Sequence, residues 1–230
     1  MLNISNLSAW YGEAQALAGL DLEIQAGQVV TLVGRNGAGK TTTLRCLMGM
    51  HQQMRGQIVF GNDDITAWAP HRRARAGLGY VPDDRGIYAS LTVEENLSLP
   101  PSVGADGWSL ERIYEFFPNL RDRRRSFGTT LSGGEQQMLS IARVLRMGAR
   151  LLLMDEPTEG LAPVLVQQIG QLVLELKQHG MTILLIEQNL RFATRVADWH
   201  YLLVHGNVVE AMSNDQVKVR EHELLRYLGV

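Results

Sequence analysis

Gly34-Arg35-Asn36-Gly37-Ala38-Gly39-Lys40-Thr41 fits the spacing G-x-x-x-x-G-K-[ST], directly after an apolar run of strand length and at the opening of a helical pattern. Glycines at this spacing let backbone N–H groups curl around a phosphate, and the free N–H groups of a helix start add partial positive charge. Lys40 then reaches the β- and γ-phosphates of a nucleoside triphosphate, and Thr41 offers its hydroxyl to Mg²⁺. Thr42, next on the same helix start, belongs to the same phosphate-binding group.

Two further segments carry chemistry. Leu151-Leu152-Leu153-Met154-Asp155-Glu156 is an apolar strand ending in two carboxylates. Asp155 is placed to hold the hydrated Mg²⁺. Glu156 points to a different side, where it polarises an attacking water as general base or simply faces solvent as a strand-end carboxylate. Leu131-Ser132-Gly133-Gly134-Glu135-Gln136-Gln137 precedes a helix whose Met138, Leu139, Ile141, Ala142, Val144 and Leu145 form an apolar face. Ser132, Gly133, Gly134 and Glu135 at this start make either a second phosphate-binding N-terminus or a plain serine N-cap. Two such helix starts beside one lysine-bearing loop are explained if two copies of the chain pair head to tail.

These residues need a scaffold. Gln28 to Val33, Leu151 to Met154 and Thr182 to Ile186 are continuous apolar runs of strand length, the pattern of buried parallel strands. Helical patterns over Thr41 to Met50, Glu135 to Met147 and Val164 to His179 lie between them, so the alternation predicts an α/β core. Leu2 to Ala9, Leu20 to Ile24 and Gln57 to Phe60 alternate in polarity between turns at Gly12, Gly27 and Gly61, which predicts an antiparallel side sheet. From about Gly86 to Gly148 the strand signal disappears. Pro100-Pro101, Gly104 and Gly107 interrupt a stretch that otherwise reads as helices, and we expect a helical insertion at about 86–148 of a single 1–230 domain.

Composition narrows the classes. The 230 residues are 45% hydrophobic and 20% charged, enough apolar content for a sizeable core and too much for a disordered chain. Lysine and arginine number 22 against 24 acidic residues, a net charge of -2, which argues against a protein built to neutralise nucleic acid. The cluster Arg121, Arg123, Arg124, Arg125 reads as a solvated helix end. A single cysteine, Cys46, excludes an internal disulfide framework and suits the cytosol, and the six histidines lack zinc-ligand spacing. No signal-type N-terminus is visible and no apolar run is long enough to span a bilayer. Pro100, Pro101 and Trp108 receive no role.

In order and spacing, the Gly34 to Thr41 loop, the LSGGEQQ segment at Leu131 to Gln137 and the Asp155-Glu156 strand resemble, across essentially the whole chain, the ATP-binding cassette (ABC) ATPases. The resemblance implies a P-loop NTPase core with a parallel sheet, an antiparallel β side sheet and an inserted helical subdomain. It also implies ATP hydrolysis in a head-to-tail dimer with itself or a homologous subunit, the Ser132 segment of one copy closing over the γ-phosphate held by the other. Tyr11 stands where the family has an aromatic that stacks on adenine, with Trp10 beside it. Asp83 stands where the family usually has Gln, which touches Mg²⁺ and the attacking water. Gln188 occupies the position of a switch histidine; its carboxamide donates to a γ-phosphate but cannot carry positive charge. Glu159-Gly160-Leu161-Ala162 replaces the commoner Ser-Ala-Leu-Asp.

The departures resemble one branch. Ile186-Glu187-Gln188-Asn189, Glu156 to Pro163, Phe117-Pro118-Asn119-Leu120 and the ending Tyr227-Leu228-Gly229-Val230 are similar to the ATP-binding subunits of branched-chain (hydrophobic) amino acid importers, with urea and short-amide importers close by. That implies transmembrane permease subunits docking near Asp83 to Tyr88, indirect contact with a solute-binding protein, no nucleic acid, and a peripheral place on the cytoplasmic face of the bacterial inner membrane. A soluble ABC ATPase of DNA repair or translation would need a coiled-coil insertion, a second cassette or a strongly basic face. A non-hydrolysing regulator would lack Glu156 or the LSGGE segment.

Overall fold

The computed structural model describes residues 1–103 and 107–228; Gly104, Gly229 and Val230 lie outside the described residues. The chain opens with β1 (Leu2–Tyr11), β2 (Ala14–Ile24) and β3 (Val29–Val33), followed by α1 (Lys40–Leu47), β4 (Met54–Phe60) and the short β5 (Asp63–Asp64). Strands β1, β2, β4 and β5 form an antiparallel sheet in the order β2-β1-β4-β5. Alternation in β1 puts Leu2, Ile4, Leu7 and Ala9 on its buried face, the period-2 signal that predicts this side sheet. The strands run longer than the polarity pattern alone indicates, β1 reaching Tyr11 and β2 starting at Ala14.

After α2 (Pro70–Arg75) and β6 (Leu78–Val81) come α3 (Val93–Ser98), α4 (Leu110–Phe116), α5 (Pro118–Asp122) and α6 (Gly133–Met147). Among the described residues 86–148, the β pairing is one isolated bridge between Thr92 and Phe127, and the apolar side of α6 packs against α3, α4 and α5. The chain returns through β7 (Leu151–Asp155), α7 (Pro163–Gln178), β8 (Thr182–Glu187), α8 (Leu190–Val196), β9 (Trp199–Val204), β10 (Asn207–Ser213), α9 (Asn214–Val219) and α10 (Glu221–Leu228).

The central sheet runs β10-β9-β3-β8-β7-β6, parallel from β9 to β6, with β10 antiparallel at the edge. Every residue of β3, β7 and β8 is buried, as continuous apolar runs require when helices or a second sheet cover both faces. The order places the carboxyl ends of β3, β8, β7 and β6 side by side, the edge at which open α/β sheets hold ligands. Each of those ends leads into a segment carrying a sequence-predicted site residue: Gly34 to Lys40 after β3, Glu187-Gln188 after β8, Asp155-Glu156 after β7 and Asp83 after β6.

Candidate functional site

The loop after β3 enters α1 through Gly39, whose φ of +108° is left-handed and whose added Cβ would lie 2.7 Å from the Ala16 carbonyl oxygen. Gly34 is held as closely: a Cβ there would meet the Leu203 carbonyl oxygen at 2.5 Å. Glycine at both positions lets the loop wrap tightly on β2 and β9. No side chain caps the start of α1, so its first N–H groups are free to face an anion.

Lys40, 4% exposed, projects into the resulting cleft. Its Nζ donates to the carbonyl oxygens of Gly34 at 2.7 Å and Arg35 at 3.0 Å, and lies 3.0 Å from Glu156 Oε1. Glu156 adopts φ +44°, a left-handed conformation rare outside glycine, at the turn that leaves β7. A cavity of about 470 Å³ gathers Lys40, Thr41, Thr42, Asp83, Asp155 and Glu156. Asn36, Gly37, Gly39 and the ring of Tyr11 complete the rim. Tyr11 is half exposed and stacks obliquely on His51, ring centres 4.6 Å apart, leaving it accessible at the cavity mouth.

Asp155 is buried to 1% exposure at the end of β7 and accepts hydrogen bonds from Thr41 Oγ1 and the Tyr80 hydroxyl, each at 3.2 Å. Burial pushes its carboxyl up to about 6, partly offset by those two bonds and reinforced by the charges of Asp83 and Glu156. The buried Asp155 carboxylate, the Thr41 hydroxyl and the exposed Asp83 carboxylate bring oxygen donors to one cavity, a set that fits a hard divalent ion. Among the described residues, no cluster of three His, Cys, Asp or Glu side chains is arranged to hold a metal by itself.

The structure separates other sequence-predicted residues from this cavity. Arg35 and Ala38 line a second hollow with Leu203, Val204 and His205 on the other side of the loop. Gln188 lines a third, of about 500 Å³, with Asn189, Leu190, Arg191 and Leu225. Ser132 N-caps α6 in a capping box: its Oγ accepts from Glu135 N at 3.3 Å while Glu135 Oε2 accepts from Ser132 N at 2.8 Å. Gly133 and Gly134 lie beside Arg85, Leu161 and Leu165, and a Cβ on Gly134 would meet Leu165 Cδ2 at 2.6 Å. Close packing of α6 on the start of α7 is thus one reason for glycine there. None of these four residues lines the Lys40 cavity.

Sequence reading misses several contributors. Glu159 lines the cavity, and its carboxyl is raised by a hydrogen bond to Glu156 and by that group's charge. Tyr80 reaches Asp155 from the neighbouring strand β6, a register contact that no local motif announces. Arg73, 1% exposed, donates to the carbonyls of Cys46, Leu47, Thr66 and Trp68 and so ties off the carboxyl end of α1. The Asp83 loop reaches α6 through Arg85, whose Nη1 donates to Gln136 Oε1 at 2.7 Å, and through Arg143, which bonds the Gly86 carbonyl and lies over the Tyr88 ring.

A glycine loop opening an uncapped helix, with a buried lysine and paired carboxylates at the carboxyl edge of a parallel sheet, defines a nucleoside-triphosphate-binding protein of the α/β class. The chain belongs to the ABC transporter family of ATP-hydrolysing cassettes, whose family profile, described as ABC transporter, matches residues 17–159. It is 39% identical over 212 residues, 91% of each chain, to the high-affinity branched-chain amino acid transport ATP-binding protein BraG of Pseudomonas aeruginosa. It is 37% identical to the probable branched-chain amino acid transport ATP-binding protein LivF of Archaeoglobus fulgidus, covering 97% of this chain and 95% of that one. The lipopolysaccharide export ATP-binding protein LptB of Haemophilus influenzae is 32% identical over 100% of this chain and 97% of its own.

Among solved structures, the ADP conformation of an ATP-binding cassette of an ABC transporter superposes with a TM-score of 0.85 at 26% identity, covering 100% and 99% of the two chains. A dimeric post-hydrolysis cassette bound to ADP and Pi shares the fold at a TM-score of 0.80 and 22% identity, over 93% of this chain and 99% of that one. Cassettes of this fold are therefore seen as dimers. Among the described residues no helix is long and apolar enough to cross a membrane.

Proposed function

We propose that this ATPase energises an importer of branched-chain or related hydrophobic amino acids, as one cassette domain spanning 1–230 with a helical subdomain at about 86–148. The observation that carries the solute class is the 39% identity to BraG over nine-tenths of both chains. In this reading two copies, or this chain and a homologous subunit, pair head to tail on the cytoplasmic face of the bacterial inner membrane. Permease subunits dock where the Asp83 to Tyr88 loop meets α6, because Arg85 and Arg143 connect that loop, and with it the cavity, to the helical segment.

For hydrolysis, Lys40 and the free N–H groups of α1 hold the β- and γ-phosphates, Tyr11 stacks on adenine, and Ser132, Gly133, Gly134 and Glu135 of the second copy close over the γ-phosphate. Thr41, Asp155 and Asp83 hold Mg²⁺, which when bound neutralises charge on the phosphate oxygens. Glu156 accepts the proton as the water oxygen bonds to the γ-phosphorus and the bond to the ADP oxygen breaks. Gln188 positions the γ-phosphate once the dimer brings its turn to the site.

The test is purification of the chain from membranes with its associated subunits, followed by ATPase measurement of the reconstituted complex with a binding protein loaded with leucine, with urea or with nothing. Leucine-dependent stimulation supports the reading. Recovery with lipopolysaccharide-export subunits, or stimulation by urea or short amides alone, replaces the solute class.

A further inference from the structure

Glu187 ends β8 and is 2% exposed, yet no lysine, arginine or histidine pairs with it among the described residues. A carboxylate without a counter-charge is unfavourable in such a place, and burial pushes this one up to about 7. The side chain is occupied in a different way. Oε1 accepts from the Thr158 hydroxyl at 2.8 Å, and Oε2 accepts from the Asn189 backbone N–H at 3.4 Å.

Those two partners belong to different loops of the site. Thr158 is itself buried, in the turn after β7 where Glu159 N donates to Glu156 O at 3.0 Å and Leu161 N to Thr158 O at 3.3 Å. Asn189 follows Gln188 and caps α8 through Phe192 N at 3.1 Å. The Glu187 carbonyl oxygen also accepts from Gly34 N at 3.3 Å, at the first residue of the phosphate loop. One residue thus touches all three loops that carry Lys40, Glu156 and Gln188.

We infer that Glu187 is a positioning residue for hydrolysis, its buried carboxylate fixing through Thr158 the turn that carries Glu156 and through Asn189 the turn that carries Gln188. The need for such a tie lies in the backbone of Glu156. Its φ of +44° is a conformation that a non-glycine residue leaves readily unless its surroundings hold it. Glu156 N is anchored to the Ile186 carbonyl at 3.0 Å, and the Thr158–Glu187 bond anchors the same turn two residues later. Without the second anchor the turn is free to rotate, and the carboxylate leaves its position 3.0 Å from Lys40.

The inference rests on Glu156 being the group that takes the proton, and the experiment separates the two. Glu187→Ala, Thr158→Val, Glu187→Gln and Glu156→Gln are made in the full chain and compared with wild type for kcat and KM for ATP, Kd for ADP and Tm. Glu187→Ala and Thr158→Val are expected to lower kcat by at least about 10-fold, the scale on which a misplaced catalytic group acts, with neither KM nor Kd more than about 2-fold above wild type, since a Lys40 released from Glu156 can only bind phosphate better. Glu187→Gln keeps the shape and one acceptor, enough for Thr158, while its NH₂ group faces the Asn189 N–H, so it recovers the part of the rate that depends on the Glu156 turn and is faster than Glu187→Ala. The double variant Glu187→Ala/Thr158→Val is no slower than the slower single, as two ends of one contact require. A merely structural Glu187 lowers Tm and leaves kcat of the folded protein unchanged, and that result overturns the inference. Should Glu187→Ala fail to fold, Thr158→Val alone decides it by the same criterion. Wild-type turnover in Glu156→Gln sinks the reading underneath; its loss there, with normal kcat in Thr158→Val, sinks this inference alone.

Discussion

Glu156→Gln is expected to move nucleotide affinity and turnover in opposite directions. In the structure Lys40 Nζ spends its hydrogen bonds on the Gly34 and Arg35 carbonyls and on the Glu156 carboxylate at 3.0 Å. A phosphate must take the place of at least one of these partners. With Lys40 4% and Glu156 14% exposed, the contact is poorly screened, and a charge-assisted hydrogen bond of this kind contributes about 1.5–3 kcal/mol. A carboxamide keeps an oxygen acceptor at about half that strength, so the free variant is less stabilised by about 1 kcal/mol. Phosphate competes that much better, and affinity for ATP rises by about 5-fold or more, since every 1.4 kcal/mol is tenfold. Losing the anion also removes repulsion against the γ-phosphate, in the same direction. Turnover falls by about 10²–10⁴-fold, because the amide cannot take a proton. Calorimetric titration with ATP and a phosphate-release assay on both proteins measure the two changes. Equal or weaker ATP binding in the variant would refute the competition for Lys40, and wild-type phosphate release would refute the base.

Three further outcomes follow from the same geometry. Arg73→Ala removes four hydrogen bonds to backbone carbonyls, those of Cys46 and Leu47 at the end of α1 and of Thr66 and Trp68 before α2, of which Cys46 keeps a second donor in Gly49 N. The loss is about 3–5 kcal/mol, at about 1–3 kcal/mol for each group left unmatched. At about 2–4 °C per kcal/mol for a chain of this size, Tm should fall by about 6–20 °C in a thermal melt, and a fall under 3 °C contradicts the assignment. Asp83→Gln should retain hydrolysis while Asp83→Ala lowers kcat more than ATP affinity; equal loss of affinity in both marks a structural role. Lys40→Ala and Ser132→Arg proteins, each inactive alone, should regain turnover on mixing when native mass spectrometry shows mixed dimers and one intact site suffices, because one composite site then carries both lesions and the other neither. Mixed dimers without recovery, with one-site turnover established independently, rule out shared sites.

The parts of this molecule legible in the sequence are those coded locally. The glycine loop, the apolar runs of β3, β7 and β8 and the helical face of α6 each declare themselves within a dozen residues. Strand β6 does not, because Gly77 and Gly79 dilute its apolar pattern; Gly79 is required where Val144 and Ala149 press so closely that a Cβ would meet Val144 Cγ1 at 2.1 Å. The β9-β10 hairpin turns on His205 and Gly206 with φ of +47° and +77°, left-handed at both central residues but without the Asn-Gly or Asp-Gly pair that advertises such a turn. Within the site, Tyr80 meets Asp155 across 75 residues and Thr158 meets Glu187 across 29. Contacts of that kind come from strand order, which no short motif contains. The capping box of Ser132 and Glu135, by contrast, is a local spacing that sequence reading resolves only as a serine at a helix start.

That capping box bears on how one segment can serve both its own helix and a second copy's phosphate. Ser132 Oγ uses a lone pair to accept from Glu135 N, so its O–H proton is still available to donate. Gly133 and Gly134 are the first two residues of α6, and their N–H groups have no partner within the helix. The capped helix start therefore retains the hydroxyl and two backbone donors for a γ-phosphate, while the capping box fixes the direction in which they point. The lysine-bearing start of α1 has no such box, since Gly39 caps it without a side chain. There Lys40 supplies the positive charge, held meanwhile by Glu156. In the proposed dimer an uncapped helix start with a lysine faces a capped one without, and four carboxylates, Asp83, Asp155, Glu156 and Glu159, line the Lys40 side. The excess of anions over the one lysine lining that cavity is what the cation proposed beside Asp155 would offset.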